Sequence, residues 1–180
     1  MDIRTLCLGA LALGEASGYE IKKLFESAFS HFQGAGFGSI YPALGRLAEE
    51  GLVSHREVQE ARHPTKRLFR LTEAGRERLQ AALDTTAPSE RYRSDFLVLL
   101  FFAHLMSTER LAAVLDEQAA NLRGELATLE QIARTEPLTP GMRFTVEFGQ
   151  AAKSARLAFI EDHRDALLAE HAATPKDDHA

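Results

Sequence analysis

The stretch Ser39-Ile-Tyr-Pro-Ala-Leu-Gly-Arg-Leu-Ala-Glu-Glu-Gly-Leu-Val-Ser-His-Arg-Glu-Val58 decides the fold. Its first part predicts a short helix. Ser39 is a helix-capping residue type, Pro42 is tolerated in a first turn, and Gly51 is a helix stop. Ile40, Leu44, Leu47 and Ala48 recur at helical spacing and form an inward face. The opposite face carries Ser39, Pro42, Gly45, Arg46 and Glu49, with Tyr41 on its flank. From Leu52 to Val58, β-branched and charged residues suit a short exposed strand. Ala61-Arg-His-Pro-Thr-Lys66 reads as a turn marked by Pro64, and Arg67-Leu-Phe-Arg-Leu71 as the returning strand.

On the N-terminal side, Ile3, Leu6, Cys7, Ala10 and Leu11 predict a first helix over residues 3–13. Gly14 and Gly18 bracket a turn. Ser17-Gly-Tyr-Glu20 fits a capping box, in which the serine hydroxyl caps the helix start and the glutamate reaches back. Ile21, Leu24, Phe25, Ala28 and Phe29 then form a buried stripe. Gly34, Gly36 and Gly38 break the chain; this is no dinucleotide-binding fingerprint, because Ser39 stands where a third glycine is needed and no strand precedes it. Beyond the hairpin, Thr72-Glu73 starts a helix through Arg76, Leu79, Ala82 and Leu83. Three helices, a two-stranded hairpin and a helix are the order of a winged helix-turn-helix. That motif places the N-terminal residues of its second helix in the major groove and its hairpin on the flanking backbone. The fold class is therefore read as mainly α with a small β-hairpin wing, residues 1–84 forming a DNA-binding domain.

Thr85 to Glu90, with Pro88, reads as a boundary. Residues 92–106 predict an apolar helix. A longer helix opens at Thr108, in which Ala112, Leu115, Ala119, Leu122, Leu126, Leu129 and Ala133 alternate at spacings of three and four, a coiled-coil-like seam. Pro137 and Pro140 are read as its end. A last helix runs from Met142 to Glu170 with Phe144, Phe148, Ala152, Ala155 and Phe159 along one side. Residues 92–173 are read as a helical dimerisation and effector domain, with 174–180 a polar tail. Leu115, Leu122, Leu126, Leu129, Phe148 and Phe159 are the expected dimer contacts, the seam also packing within its own chain against helices 142–170 and 92–106. Phe96, Phe101, Phe102 and Phe144 are candidates for lining an aromatic ligand pocket, the alternative being core or dimer seam.

The net charge of −5 does not announce a nucleic-acid partner, but its distribution matters. Residues 1–83 hold 11 Lys+Arg against 10 Asp+Glu, while 84–180 hold 10 against 16, so the acidity lies in the second half. The single cysteine, Cys7, cannot form an internal disulfide, which fits a reducing, cytoplasmic setting. Cys7 lies on the inward side of its helix and reads as core. No apolar run is long enough to span a bilayer, and the N-terminus lacks the pattern of a signal peptide, so no membrane association is expected. No nucleophile elbow, phosphate loop or zinc-binding histidine motif occurs, which argues against an enzyme, and no cofactor is expected. His163 and His171 are eight residues apart without an i, i+4 pairing and read as a solvated helix face, not a metal site.

The candidate DNA contacts follow from chemistry. Ser39 stands at a helix start, where free N–H groups favour phosphate. Gly45 lets the backbone come close. Arg46 can form a bidentate pair with guanine or hold a phosphate. Tyr41 can stack on sugar or donate to phosphate, Pro42 shares its face, and Tyr19 and Lys22 reach the backbone. Arg62, His63, Lys66 and Arg67 would act from the wing.

Gly18-Tyr-Glu-Ile-Lys-Lys23, Gly38-Ser-Ile-Tyr-Pro-Ala-Leu44, Arg46-Leu-Ala-Glu-Glu-Gly-Leu52 and Phe69-Arg-Leu-Thr-Glu-Ala-Gly75 together resemble the PadR family of transcription regulators. Ser94-Asp-Phe-Leu-Val-Leu-Leu-Phe-Phe102 resembles the first C-terminal helix of its longer subgroup. The resemblance implies a winged-helix repressor, usually dimeric, acting on a pseudo-palindromic operator in double-stranded DNA. With the phenylalanine-rich second half, it suggests release by a small aromatic or lipophilic effector. The wing turn Ala61-Arg62-His63-Pro64 departs from the glycine-arginine turn common in the family, and the chain has no tryptophan. The competing reading is a winged helix used only for protein interaction, which would lack the basic wing and the serine-tyrosine helix start.

Overall fold

The computed structural model describes residues 1–27, 39–59, 66–88 and 93–173. Two compact units emerge, Met1–Ser89 and Glu90–Ala180. The first contains α1 (Ile3–Ala12), β1 (Ala16–Ser17), α2 (Gly18–Ser27), α3 (Ile40–Glu49), β2 (Val53–Val58), β3 (Lys66–Leu71) and α4 (Glu73–Thr85). The second contains α5 (Asp95–Phe101), a 3-10 turn (Ala103–Leu105), α6 (Thr108–Thr135) and α7 (Pro140–Ala173).

Local chemistry explains most boundaries in the first unit. Asp2 caps α1 by accepting from the Thr5 N–H at 2.8 Å. Ser17 and Glu20 form the capping box: the Glu20 N–H donates to Ser17 Oγ at 3.2 Å, and the Ser17 N–H donates to Glu20 Oε2 at 2.7 Å. Ser39 occupies the cap position of α3, but its side chain makes no capping hydrogen bond, contrary to expectation. At the other end of α3, the Gly51 N–H donates to the Ala48 carbonyl and the Leu52 N–H to the Leu47 carbonyl. These two bonds form a Schellman motif, which needs the left-handed backbone that Gly51 adopts at φ +71°.

The sheet has three antiparallel strands in the order β1-β3-β2. β1 was not expected: Ala16–Ser17 is too short to show a period, and pairs with Leu68 and Phe69 on the free edge of β3. In the hairpin, Val53, His55 and Glu57 face Leu71, Phe69 and Arg67 respectively. This row begins buried at Val53 and Leu71 and ends in an exposed ion pair, so the hairpin projects away from its core. That core joins Cys7, Leu8, Leu11, Ile21, Phe25, Ile40, Leu44, Leu47, Val53, Phe69, Leu71 and Leu79. It holds the inward face of α3 against α1 and α2 and leaves the outward face to solvent.

The second unit corrects several expectations. The apolar segment 92–106 is not one helix; α5 ends at Phe101 and a 3-10 turn follows. Pro140 opens α7 instead of ending α6; without an N–H, proline suits the first helical position. Asp116 pairs with Arg164, Arg123 with Glu161, and Glu125 with the buried Lys153. Numbers rise along α6 as they fall along α7, so the two helices run antiparallel. Leu115, Leu122 and Leu129, expected at a dimer seam, are buried within their own chain, Leu122 to 1% exposure. Leu126 is half-buried and Ala133 exposed. Leu111, Leu115, Ala119 and Leu122 pack with Ala103 and Ile160, so the seam is the inner surface of an intrachain helix pair. His171 is no solvated residue: its Nδ1 lies 3.1 Å from Thr108 Oγ1 and its Nε2 2.9 Å from the Ala103 carbonyl, joining the end of α7 to the start of α6.

Candidate nucleic-acid interface

The outward face of α3 presents the expected residues together. Ser39, Tyr41, Pro42, Gly45, Arg46 and Glu49 are all exposed, Tyr41 to 59%. Nothing lies within 4 Å of the position a Gly45 Cβ would take, so the fold itself does not require glycine there. Among the described residues the Arg46 guanidinium has no ion-pair partner, which leaves its five donors available. From the start of α2, Tyr19 is 65% exposed, and Lys22 makes an exposed helical pair with Glu26 at 3.4 Å.

The Tyr41 ring rests against Gly18. A Cβ at Gly18 would lie 2.6 Å from Tyr41 Cε1 and 3.0 Å from Cδ1. The starts of α2 and α3 therefore meet at these two residues. Nothing in the local sequence pattern marks this contact.

The wing cations are arranged differently from the expectation. Arg62 and His63 lie outside the described residues. Lys66 is half-buried and donates to Glu20 Oε1 at 2.8 Å, and Arg67 donates to Glu57 across the hairpin at 3.3 Å. Both have intrachain partners. Glu20 thus serves two neighbours: Lys66 above all, and then the Ser17 N–H and hydroxyl, hold its pKa down at about 2. On the other strand, Arg56 grips Glu15 through two bonds of 2.7 and 3.0 Å. Those two bonds lower the Glu15 pKa and raise that of Arg56, and Arg70 adds a smaller attraction on Glu15. Two ion pairs thus tie the hairpin to the region around β1 and the start of α2. Both pairs are open to water, which screens them.

Cys7 is fully buried, and burial pushes its pKa up to about 12, which disfavours the thiolate. In the second unit, a groove of about 320 Å³ is lined by Phe96, Leu97, Leu100, Leu115, Ile160 and Leu167, with Phe159, Arg156, His163 and Arg164 also lining it. Of the four phenylalanines expected to line a pocket, Phe96 lines this groove. Phe101, Phe102 and Phe144 are exposed elsewhere. Phe159, expected at a dimer seam, stacks on His163 at 4.1 Å. Arg164 is held by Asp116 through bonds of 2.7 and 3.0 Å, whereas Arg156 has no partner among the described residues. No helix among the described residues is long and apolar enough to cross a membrane.

Comparison with known proteins agrees with this arrangement. The model of the transcriptional regulator PadR-like family matches residues 7–81, and that of the virulence activator alpha C-terminal region matches 92–171. The negative transcriptional regulator PadR of Bacillus subtilis (strain 168) is 27% identical over 138 residues, which cover 73% of this chain and 76% of that protein. The solved PadR-like transcriptional regulator BC1756 from Bacillus cereus shares 28% identity with a TM-score of 0.80, covering 93% of this chain and 94% of that one. Bacillus subtilis PadR has been solved in complex with operator DNA, with a TM-score of 0.73 at 22% identity over 93% of this chain and 98% of that one. It has also been solved with p-coumaric acid, with a TM-score of 0.66 at 22% identity over 94% and 98%. These last two likenesses concern the fold. The relatives are transcription regulators and not enzymes, and residues 7–81 of this chain form a domain similar to the PadR-like family of transcriptional regulators.

Proposed function

We propose that the protein is a repressor that binds a pseudo-palindromic operator as a homodimer and is released by a small aromatic or lipophilic effector. The observation that carries the DNA reading is the outward face of α3, where Tyr41 and an Arg46 without an ion-pair partner among the described residues are exposed, as is Tyr19 at the start of α2. The residues of α3 inserted in the groove specify sequence, and the wing and α2 position the module on phosphates. The negative regulator PadR and its operator complex support the same direction of control. Arg46→Ala tests it: loss of a base contact costs about 1–3 kcal/mol and relaxes sequence preference at one position. Operator affinity unchanged in a folded Arg46→Ala protein rejects the assignment.

Dimerisation is supported by exposed apolar side chains in the second unit. Phe144 and Phe148 stack at 6.5 Å on α7 and are exposed, as are Leu97, Val98 and Phe101 on α5. Clustered apolar residues of this kind mark association surfaces in regulators that read two half-sites. In this reading Phe148 and Phe159 meet the partner, and Leu115, Leu122 and Leu129 hold the helix pair that presents them. The α5–α7 groove is the natural place for an effector, since its apolar walls suit an aromatic body and Arg156 suits an acid. The p-coumaric acid complex of Bacillus subtilis PadR supports that class. Titrating the protein–operator complex with p-coumaric acid and with a medium-chain fatty acid tests the effector; release by neither removes this part of the reading.

A further inference from the structure

We propose that Gly18 is a positioning residue for DNA recognition: lacking a Cβ, it gives the Tyr41 ring its seat against the start of α2 and so fixes where Tyr41 meets the duplex. The inference rests on the reading of Tyr41 as a DNA contact.

Backbone geometry does not call for glycine at this position. Among the described glycines only Gly14 and Gly51 have a positive φ. Helix propensity argues against it too, since Gly18 is the first residue of α2 and alanine is the better helix former. The reason for glycine is space. A Cβ would lie 2.6 Å from Cε1, 3.0 Å from Cδ1 and 3.2 Å from Cζ of Tyr41, and these three are the nearest atoms it would meet. All of them belong to one ring that is itself 59% exposed. An exposed ring turns aside about its own side-chain torsions without disturbing the core. Alanine at position 18 therefore moves Tyr41 and little else. The remainder of the site stays in place, because the capping box of Ser17 and Glu20 uses groups that the substitution does not touch.

The same surface shows why the ring's position matters. Tyr41 lies in the first turn of α3, the end that enters the groove in this class of motif. Its neighbour across the junction is the start of α2, where Tyr19 is also exposed. Gly18 lets the two helix starts converge with an aromatic ring between them, so contacts from both helices reach one stretch of DNA in fixed relation.

The test is a double-mutant cycle in the full-length protein, with Gly18→Ala, Tyr41→Ala and the two combined. Affinity is measured by fluorescence anisotropy on a duplex selected from a random library by the wild-type protein, and folding by thermal melting. Gly18→Ala is expected to weaken binding about tenfold, as Tyr41→Ala does, and the double variant no more than either alone. Melting of Gly18→Ala is expected to match wild type. Should it melt lower, removing the ring in the double variant must restore the melting temperature; a double variant that still melts low overturns the inference. Two further results overturn it while leaving the Tyr41 reading intact: wild-type binding by Gly18→Ala while Tyr41→Ala is weakened, or losses that multiply in the double variant. Wild-type binding by Tyr41→Ala rejects the underlying reading instead.

Discussion

Gly75 offers a sharp test of how the DNA-binding unit is assembled. It is buried in the first turn of α4, and a Cβ there would lie 2.0 Å from the Leu52 carbonyl oxygen and 2.9 Å from Leu71 Cδ1. An ordinary carbon–oxygen contact is about 3.3 Å, so the backbone at Leu52 must retreat by more than about 1 Å. That carbonyl accepts from the Thr72 N–H at 3.2 Å and lies 2.9 Å from the Thr72 hydroxyl, whose oxygen caps α4. Overpacking costs about 1–3 kcal/mol and the weakened hydrogen bonds about 1 kcal/mol more, against a helix-propensity gain of about 1 kcal/mol. Gly75→Ala is thus expected to destabilise the unit by about 1–3 kcal/mol, an appreciable part of the 5–15 kcal/mol typical of a domain. In a domain of this size that lowers the melting temperature by about 5–25 °C. The internal control is Gly124→Ala in the middle of α6, where a Cβ meets nothing within 4 Å of the chain. There the same change is expected to stabilise by about 0.5–1 kcal/mol. Circular dichroism melts and urea titrations of both variants decide the matter. Gly75→Ala within about 0.5 kcal/mol of wild type would refute the packing argument.

Other expectations follow from the ion pairs, the thiol and the exposed aromatic residues. The folded pKa of Glu20 is lowered to about 2, so its contribution is present above the unfolded value of about 4.3 and is lost as pH falls toward 2. Glu20→Gln should therefore cost up to about 1 kcal/mol in urea unfolding at pH 7, and this gap should shrink steadily between pH 5 and about 2; a gap unchanged at pH 3 contradicts the linkage. With its pKa at about 12, Cys7 should stay unmodified by a thiol reagent at pH 8 in folded protein and react fully in urea, and rapid labelling of the native state would show that its helix opens. Phe148→Asp and Phe159→Asp should shift the protein toward monomer in sedimentation without loss of helix. Leu122→Ala should instead lower stability by about 2–5 kcal/mol; an unaltered dimer in both aspartate variants counts against the α7 surface.

The winged helix was readable because its signals are local. Ser17 with Glu20, Thr72 before α4 and Gly51 after α3 each act within a few residues, and the inward face of α3 follows from helical spacing alone. The exposure of Tyr41 and Arg46 came from the same count. What could not be read lies between distant positions. Lys66 and Glu20 are 46 residues apart and Arg56 and Glu15 are 41 apart, so no window of sequence reveals that these charges have partners. β1 exists because β3 has an edge to pair with, a fact carried by residues 66–71 and not by Ala16–Ser17 themselves.

The α6 spacing alone does not say whether the seam lies within one chain or between two. An alternation of three and four says only that one side of a helix is covered by another helix; it carries no information about which chain supplies the cover. The chain itself supplies a long antiparallel helix, α7, and the matched pairs Asp116–Arg164, Arg123–Glu161 and Glu125–Lys153 hold it in register. Once α7 covers Leu115, Leu122 and Leu129, those leucines have no surface left to offer a second copy. The apolar surface left over must then be sought where the intrachain pairing ends, on α5 and on the other side of α7. There Phe101, Phe144, Phe148 and Phe159 remain exposed, the last at 63%. Their exposure in a single chain has a cost that association would remove, since burying a phenylalanine is worth about 1.5–3 kcal/mol. If the proposed dimer forms, the aromatic side chains of α5 and α7 are where substitutions should separate folding from assembly.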